Sequence, residues 1–316
     1  MTSTIQKALR KPSSLLRQGG RIAVLAPSSP SDIDQINLAV GNLRDRGLEV
    51  TISDNIAARH MGYLAGEDSI RLQRLNDALR AAHFDGFLFS RGGYGAMRIL
   101  DGLDYDAIAA NPRPMIGYSD VTALHQAVAV RAGVGTFHGP MLNADFHDGL
   151  SPDIEQWFWD VLAGEVTSWA IEPHQVMSHG SAEGILFGGC LSLTTALTGT
   201  PYDYWIDDGI WFWEDVAEPT YRVDRMLTHL KLSGKLRKIK GVMIGRLKDC
   251  GGGYPDELDR LLASFFADAG IPVLRELPFG HHADNLLLPI GTPVRIDTRS
   301  ATFSLLEPAV TTQRDL

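Results

Sequence analysis

Three short segments of the sequence contain residues that are suited to catalysis. In the first, apolar Met115 and Ile116 are followed by Gly117, Ser119 and Asp120, and then by apolar residues at helical spacing. This pattern predicts a strand, a sharp turn and a helix. A serine at such a turn lies at the end of the sheet, near the positive end of the helix, where a nucleophile would sit. The same residues also fit a simpler role, in which Ser119 caps the helix and Asp120 lies in its first turn.

The other two segments could complete a proton-transfer chain. A serine hydroxyl needs a base within hydrogen-bond reach, and a third group that orients the base. Glu214 follows the strongly apolar residues 210–213, and His281 lies in a loop just after another predicted strand. Each residue alone also fits a structural or solvent-exposed role. Together with Ser119 they could supply nucleophile, base and orienting carboxylate, although their order proves nothing because triads recur in several orders.

A glycine-rich segment, residues 90–95, follows the buried-strand pattern at 86–89. Three glycines in four positions let the backbone pass close to a ligand and aim N–H groups at it. The segment lacks the Lys-Ser/Thr pair of a Walker loop and does not match GxGxxG, so it gives little support for a nucleotide site. A plain glycine turn and a loop that donates N–H groups to an oxyanion both remain possible.

The elements that must position these residues alternate along the first half of the chain. Buried-strand patterns at 21–26, 49–52 and 86–89 alternate with helical patterns at 33–46 and 68–82. This alternation predicts an α/β fold with a doubly wound parallel sheet, whose ligands bind at the carboxyl ends of the strands. Three loops of interest follow strands and should therefore lie at one edge of the sheet: those at Ser28, Gly92 and Ser119.

The length of 316 residues favours two domains. Trp169 to Ala182 has no clear hydrophobic period, and the second half contains further strand and helix patterns. We expect a flexible arm at 1–20, a first domain at 21–168, a linker at 169–182 and a second domain at 183–316.

Composition disfavours several classes of protein. Asp and Glu outnumber Lys and Arg by 38 to 29, and no long basic run offsets the formal charge of −9, so nucleic acid is not an expected partner. Two cysteines, Cys190 and Cys250, are too few for a disulfide framework and are typical of a reducing compartment. No apolar run is long enough for a signal peptide or a membrane span. We expect a cytoplasmic protein without a membrane partner; an export signal removed upstream is the alternative.

A catalytic metal is also disfavoured. His138, Asp145, His147 and Asp148 lie close together in the sequence. None of them forms an HxxxH or HExxH pair, and ligand spacing is the main evidence that a sequence can offer for a metal. We expect no metal and no cofactor.

The chain resembles the LD-carboxypeptidase family in five motifs that occur in the same order, between about Arg21 and Leu306. The family consists of cytoplasmic serine peptidases of murein recycling, with a branch that gives immunity to peptide-nucleotide antibiotics of the microcin type. The resemblance implies removal of the terminal D-alanine from a murein tetrapeptide. It also implies a Rossmann-like amino-terminal domain and a smaller α/β carboxyl-terminal domain with a mixed sheet. The motifs are residues 90–95, 117–122, 188–193, 214–225 and 279–291.

For the site, the resemblance implies a triad of Ser119, His281 and Glu214. Two neighbours leave alternatives open. His282 directly follows His281 where a small or apolar residue is expected, so either histidine could be the base. Glu218 is a second carboxylate near Glu214, although it lies beyond the predicted strand end.

The resemblance further implies an oxyanion hole formed by the backbone N–H groups of Gly92 and Asp120. A carboxypeptidase must also bind a free carboxylate, for which an arginine is suited. Arg91 and Arg222 lie in the motifs and are candidates, with a structural ion pair as the alternative for each. The Trp-rich segment that begins at Trp157 suggests a homodimer.

Two other functions fit the same residues. One is a serine hydrolase of another acyl substrate, such as a microcin-like peptide-nucleotide. The other is a non-catalytic protein of two domains that closes on a peptide or a sugar.

Overall fold

The computed structural model of the chain describes residues 9–16, 18–254, 256–267 and 269–312. No helix within these ranges is long and apolar enough to cross a membrane. The strands are β1 Arg21–Leu25, β2 Glu49–Ile52, β3 Gly86–Phe89, β4 Met115–Gly117, β5 Thr136–His138, β6 Ser168–Ala170, β7 Val176–Ser178, β8 Ser181–Cys190, β9 Ile210–Glu214, β10 Gly241–Gly245, β11 Val273–Leu277, β12 Leu288–Ile290, β13 Pro293–Asp297 and β14 Thr302–Leu305. The helices are α1 Ile33–Asp45, α2 Asp68–Arg80, α3 Tyr105–Ala110, α4 Thr122–Arg131, α5 Pro152–Ala163, α6 Leu191–Leu197, α7 Thr220–Leu232 and α8 Glu257–Phe266.

The first sheet has the strand order β12, β5, β4, β3, β1, β2. The strands from the first half of the chain run parallel to one another. Every residue of β3, β4 and β5 is buried, as expected for parallel strands covered on both faces. The parallel α/β sheet predicted from the alternating patterns is confirmed. β12 comes from the second half and pairs antiparallel with β5, with Leu288 opposite His138.

The second sheet has the order β6, β14, β13, β8, β9, β10, β11, β7. Its centre, β8 to β11, is parallel, whereas β13 and β7 pair antiparallel with β8 and β11. The mixed sheet that the resemblance implied is therefore present. β9 lies in its centre and is completely buried, so it provides a rigid support for the residue at its end, Glu214.

The segment 169–182, which we expected to be a linker, contributes to the second sheet. β6 pairs with β14, and β7 pairs with β11. The Trp169 ring packs 5.9 Å from the Trp157 ring. Three-residue strands at the edges of a sheet are too short to produce a hydrophobic period, which explains why the sequence gives no signal for them.

Part of the predicted arm, residues 1–8 and 17, lies outside the described residues. The described part of the arm is bonded to the first sheet. The Arg10 N–H donates to the Gly133 carbonyl at 2.8 Å, and the Gly135 N–H donates to Arg10 at 2.9 Å. Leu15 is buried in the core. Arg10 thus forms a parallel bridge with Val134, just before β5.

The carboxyl ends of the two sheets approach each other between α4 and β8. The Cys190 N–H donates to the Thr122 hydroxyl at 3.0 Å. Gly189 has φ of +141°, and a Cβ atom there would lie 2.5 Å from the Thr122 methyl group. Glycine is therefore required for this approach, which brings the start of α4 next to the end of the second sheet.

Candidate active site

Ser119 lies on a tight turn between β4 and α4. Its φ is +60°, a left-handed conformation that costs of order 1–2 kcal/mol for a residue with a side chain. Gly117 leaves room for the turn, because a Cβ atom there would lie 3.0 Å from the Phe89 ring and 3.1 Å from Val121. The predicted strand, turn and helix are confirmed at this point. Strained residues of this kind cluster at functional sites.

His281 lies in the loop after β11, where Gly280 adopts φ of +101°. The Nε2 atom of His281 is 3.0 Å from the Oγ atom of Ser119. The neighbouring His282 is turned away, with its Nδ1 atom 2.8 Å from an Arg246 nitrogen. Of the two adjacent histidines, the structure therefore places His281 against the serine.

Glu214 is the last residue of β9, and its side chain is fully buried. Its Oε2 atom is 2.7 Å from the Nδ1 atom of His281. Gly280 makes this contact possible, because a Cβ atom there would lie 2.7 Å from the same Oε2 atom. Glu218 lies beyond the strand, with an oxygen 3.6 Å from an Arg222 nitrogen. Glu214 is therefore the carboxylate that the structure brings to the histidine.

Burial and the charge of the partner shift the pKa values of Glu214 and His281 in opposite directions. Burial favours the neutral carboxyl of Glu214, but the charge and hydrogen bond of His281 bring the pKa of Glu214 below its ordinary value. Burial likewise disfavours the charged form of His281, yet the nearby Glu214 carboxylate raises the pKa of His281 above its ordinary value. The carboxylate is thus ionised at neutral pH and stabilises a positive charge on the imidazole.

Gly92 lies directly against the serine. A Cβ atom on Gly92 would be 2.7 Å from the Ser119 Cβ and 3.3 Å from the Asp120 backbone nitrogen. The Asp120 side chain points inward and accepts the Ala96 N–H at 2.8 Å. The two residues whose backbone N–H groups the resemblance implied for an oxyanion hole therefore both lie next to Ser119 and close to each other.

Neither candidate arginine is hydrogen-bonded to the serine, histidine or glutamate within the described ranges. Arg91 precedes Gly92 and donates from Nη1 to the Pro30 carbonyl at 3.1 Å. Arg222 lies in the first turn of α7 and is half-exposed beside Glu218. Arg91 thus shares a loop with the site, whereas Arg222 lies on a helix of the second half.

Sequence reasoning assigned no role in the site to two buried ionisable groups that lie close to it. Asp145 accepts the Met141 N–H at 2.8 Å, and burial raises its pKa to about 7. His138 packs with its ring centroid 5.9 Å from that of Tyr118 and 5.1 Å from that of Phe212. Burial lowers the pKa of His138 to about 3, so its ring is neutral. Both residues were noticed in the sequence only as metal candidates, because burial depends on long-range packing that spacing does not reveal.

Among the residues that the structure describes, no three His, Cys, Asp or Glu side chains converge in an arrangement that could hold a metal. His147 instead lies 3.2 Å from Asp148.

A strained serine, an imidazole and a buried carboxylate in hydrogen-bonded series form the arrangement that serine hydrolases use for acyl transfer. Here the serine comes from the first sheet, and the other two residues come from strand ends of the second. The fold and the site thus define a two-sheet α/β hydrolase of the serine type.

The sequence comparisons place this hydrolase in a family. Models of the LD-carboxypeptidase amino-terminal and carboxyl-terminal domains match residues 22–139 and 183–296. The chain belongs to the LD-carboxypeptidase family. It is 37% identical over 301 residues to a putative carboxypeptidase of Streptomyces coelicolor, covering 93% of this chain and 96% of that protein. It is 34% identical over 293 residues to a probable murein peptide carboxypeptidase of Bacillus subtilis, covering 91% and 92%.

Solved structures agree with this membership. A muramoyltetrapeptide carboxypeptidase from Oxalobacter formigenes superposes with a TM-score of 0.80 at 30% identity, covering 90% of this chain and 97% of that one. The microcin C7 self-immunity protein MccF superposes with a TM-score of 0.86 at 24% identity, covering 96% and 100%. At that identity the second likeness establishes a shared fold.

Proposed function

We propose that the protein is a serine LD-carboxypeptidase that removes the terminal D-alanine from murein tetrapeptides. Family membership and the names of its relatives, a murein peptide and a muramoyltetrapeptide carboxypeptidase, support this substrate. The observation that carries the proposal is the series from Ser119 through His281 to Glu214, with contacts of 3.0 and 2.7 Å.

In the proposed reaction, the Nε2 atom of His281 takes the proton of Ser119 as the hydroxyl oxygen attacks the scissile carbonyl carbon. Glu214 accepts the Nδ1–H, which fixes the tautomer that leaves Nε2 free, and it stabilises the imidazolium that forms. His281 then gives the proton to the departing D-alanine amine as the C–N bond breaks. A water molecule attacks the resulting acyl-enzyme by the same route and releases the tripeptide.

The oxyanion of each tetrahedral intermediate would be bound by the N–H groups of Gly92 and Asp120. A donor of this kind typically contributes about 2.7–4 kcal/mol to the transition state. The support is positional, since the Gly92 backbone lies against Ser119 and next to the Asp120 nitrogen.

The terminal carboxylate of the substrate calls for a positive partner. Of the two candidates we favour Arg91, because it precedes Gly92 in the same loop and donates to the Pro30 carbonyl through Nη1 alone of its guanidinium nitrogens among the described contacts, which leaves N–H donors for a ligand. Arg222 stays the second candidate. Arg91→Met should raise KM for the tetrapeptide with little change in kcat, and Arg222→Met serves as the comparison.

The cellular setting is also part of this proposal. Cys190 and Cys250 are both free thiols, which agrees with a cytoplasmic role in murein recycling. Two domains are supported by the two sheets and by the two family models, which match residues 22–139 and 183–296, although residues 168–170 and 176–178 already belong to the second sheet. We expected a homodimer from the Trp-rich segment that begins at Trp157. Trp157 itself is buried within the chain and donates its indole N–H to the Leu287 carbonyl at 2.8 Å, so this residue gives no support for a dimer interface. Light scattering of the purified protein tests the oligomeric state.

A second candidate function is hydrolysis of a microcin-like peptide-nucleotide. The fold shared with MccF at a TM-score of 0.86 supports it. A side-by-side assay of a murein tetrapeptide and an acyl sulfamoyl adenosine or acyl adenylate separates the two substrates. A non-catalytic binding protein is the third possibility, and it would show no labelling of Ser119 by a serine-directed phosphonate.

The decisive experiment is mass spectrometry of a defined murein tetrapeptide incubated with the protein. We expect loss of one D-alanine with the wild-type protein and no loss with Ser119→Ala. An unchanged tetrapeptide with folded wild-type protein would refute the proposed activity, and turnover by Ser119→Ala would refute the nucleophile.

A further inference from the structure

An exposed patch of large side chains lies beside the glycine-rich loop. Met61, Tyr63 and Tyr94 expose 65%, 41% and 47% of their surfaces, respectively. The two tyrosine rings are 5.9 Å apart at an angle of 54°, and the Tyr63 hydroxyl is 3.8 Å from the Met61 sulfur. We call these three residues the aromatic shelf. Tilted rings of this kind form a shallow corner of apolar surface that is open to solvent.

The shelf is continuous with the candidate active site. Tyr94 is two residues from Gly92, whose Cβ position lies 2.7 Å from the Ser119 Cβ. Two residues of extended chain span at most about 7 Å, so the Tyr94 side chain begins within that distance of the oxyanion loop. A substrate held at Ser119 can therefore reach the shelf with a part that lies a few residues from the scissile bond.

Buried polar contacts hold the loops that carry the shelf. The side chain of Arg71, which is buried, donates to the carbonyl oxygens of Gly95 and Pro27, the former at 2.9 Å. His60 and Leu64 exchange two backbone hydrogen bonds of 2.9 and 3.0 Å, which close the loop that carries Met61 and Tyr63.

Two further bonds tie these loops to the loop after β1. The Ala65 N–H donates to the Ser28 carbonyl at 2.9 Å, and the Tyr94 N–H donates to the Ser29 hydroxyl at 3.2 Å. The loops after β1, β2 and β3 are thus fixed to one another. A ligand that binds to the shelf would lose little affinity to loop ordering, since the shelf is already in place.

We propose that the aromatic shelf binds the muramoyl sugar of the substrate, with the apolar face of the pyranose ring packed on Tyr94 and Tyr63. This inference rests on the proposed function and specifies the substrate further. The shelf begins two residues beyond Gly92 and not at Ser119 itself, so its occupant would be a part of the substrate away from the scissile bond. In a muramoyltetrapeptide, three residues separate the scissile carbonyl from the sugar-linked end, a reach of about 10 Å when extended. A pyranose ring offers C–H groups that pack well on an aromatic face, whereas a carboxylate does not, because the ring face is itself negative.

The test compares two substrates that differ only in the sugar: a muramoyltetrapeptide and the same tetrapeptide without it. Tyr94→Ala should lower kcat/KM for the muramoyl substrate about three- to tenfold, the range for loss of one well-placed aromatic contact. The free tetrapeptide should be hydrolysed as by the wild-type protein. Tyr94→Phe keeps the ring and should behave as the wild type on both substrates.

Tyr63→Ala provides an independent variant, because Tyr63 lies on a different loop from Gly92. It should cause the same selective loss for the muramoyl substrate. Leu38→Ala removes another exposed apolar side chain, from α1, and serves as the control, with no change expected on either substrate. Binding of the muramoyl-tripeptide product to a Ser119→Ala background, measured calorimetrically, should weaken by a similar factor when Tyr94→Ala is added.

The possible failures are distinguishable. Equal losses on both substrates in Tyr94→Ala and in Tyr63→Ala would mean that the tyrosines support the active-site loops, and would overturn the sugar site. Unchanged kinetics in both variants would overturn it as well. If the folded wild-type protein hydrolyses neither substrate, the proposed function itself is wrong, and the assignment of the shelf is wrong with it.

Discussion

Replacing Glu214 by glutamine should remove most of the activity while leaving the fold intact. The fully buried Glu214 carboxylate lies 2.7 Å from the His281 Nδ1 atom and fixes the tautomer in which Nε2 faces Ser119 with a free lone pair. The amide of Glu214→Gln can offer an N–H to Nδ1 instead. The imidazole would then carry its proton on Nε2, where it cannot accept the proton of the serine.

The size of the effect follows from the role of the carboxylate. The corresponding change in serine proteases lowers kcat about 10⁴-fold. At about 1.36 kcal/mol per factor of ten, this equals about 5.4 kcal/mol of transition-state stabilisation. The change should also move the acid limb of the pH–rate profile to lower pH, because the Glu214 charge is what raises the pKa of His281 above its ordinary value.

The assay is release of D-alanine from a murein tetrapeptide over a range of pH, together with thermal unfolding. A neutral amide is easier to bury than a carboxylate, so the melting temperature of Glu214→Gln should stay close to that of the wild type. Glu218→Gln is the matched control. Its ion pair is partly exposed and contributes at most about 1 kcal/mol, so kcat/KM should change less than about fivefold. A Glu214→Gln protein that keeps a tenth of its activity, with an unshifted acid limb, would refute this reasoning.

The remaining predictions concern the serine, the glycine loop, pH and metals. Ser119→Ala and Ser119→Gly should both abolish turnover. The free energy of unfolding of the glycine variant should exceed that of the alanine variant by about 1 kcal/mol, because residue 119 has a φ of +60°; equal values would argue against backbone strain. Gly92→Ala should lower kcat/KM at least about tenfold, because the added Cβ would lie 2.7 Å from the Ser119 Cβ. Gly253→Ala is the control: no atom lies within 4 Å of its Cβ position, so kcat/KM should not change. Activity should fall as the pH drops through the raised pKa of His281, because the protonated ring cannot act as a base; a constant rate down to pH 5 would contradict this assignment. Chelators should leave the rate unchanged, and a loss restored by added metal would point to metal-assisted hydrolysis instead.

Much of the fold could be predicted from local patterns. Continuous apolar runs identified β1, β3 and β9 to within a residue or two, because buried parallel strands leave a strong signal in the sequence. The elbow at Ser119 was predictable for the same reason. The convergence of Glu214 and His281 on Ser119 was a prediction from the family resemblance, since spacing along the chain cannot bring residues from two sheets together.

The elements that could not be predicted depend on long-range pairing. β6, β7 and β12 each have three residues, and β12 contains Pro289, which normally argues against a strand. Proline is tolerated there because β12 lies at the edge of the first sheet. The burial of Asp145 and His138 likewise results from packing between distant parts of the chain, so nothing in their immediate sequence revealed it.

The pairing of β12 with β5 has a consequence for how the protein is made. During synthesis the first sheet keeps an open edge at β5 until residues 288–290 have left the ribosome, and the imidazole at residue 281 emerges only slightly earlier. The nascent chain thus carries Ser119 without a base to activate it until His281 has been made. A fragment that stops before β12 should expose a strand edge prone to aggregation.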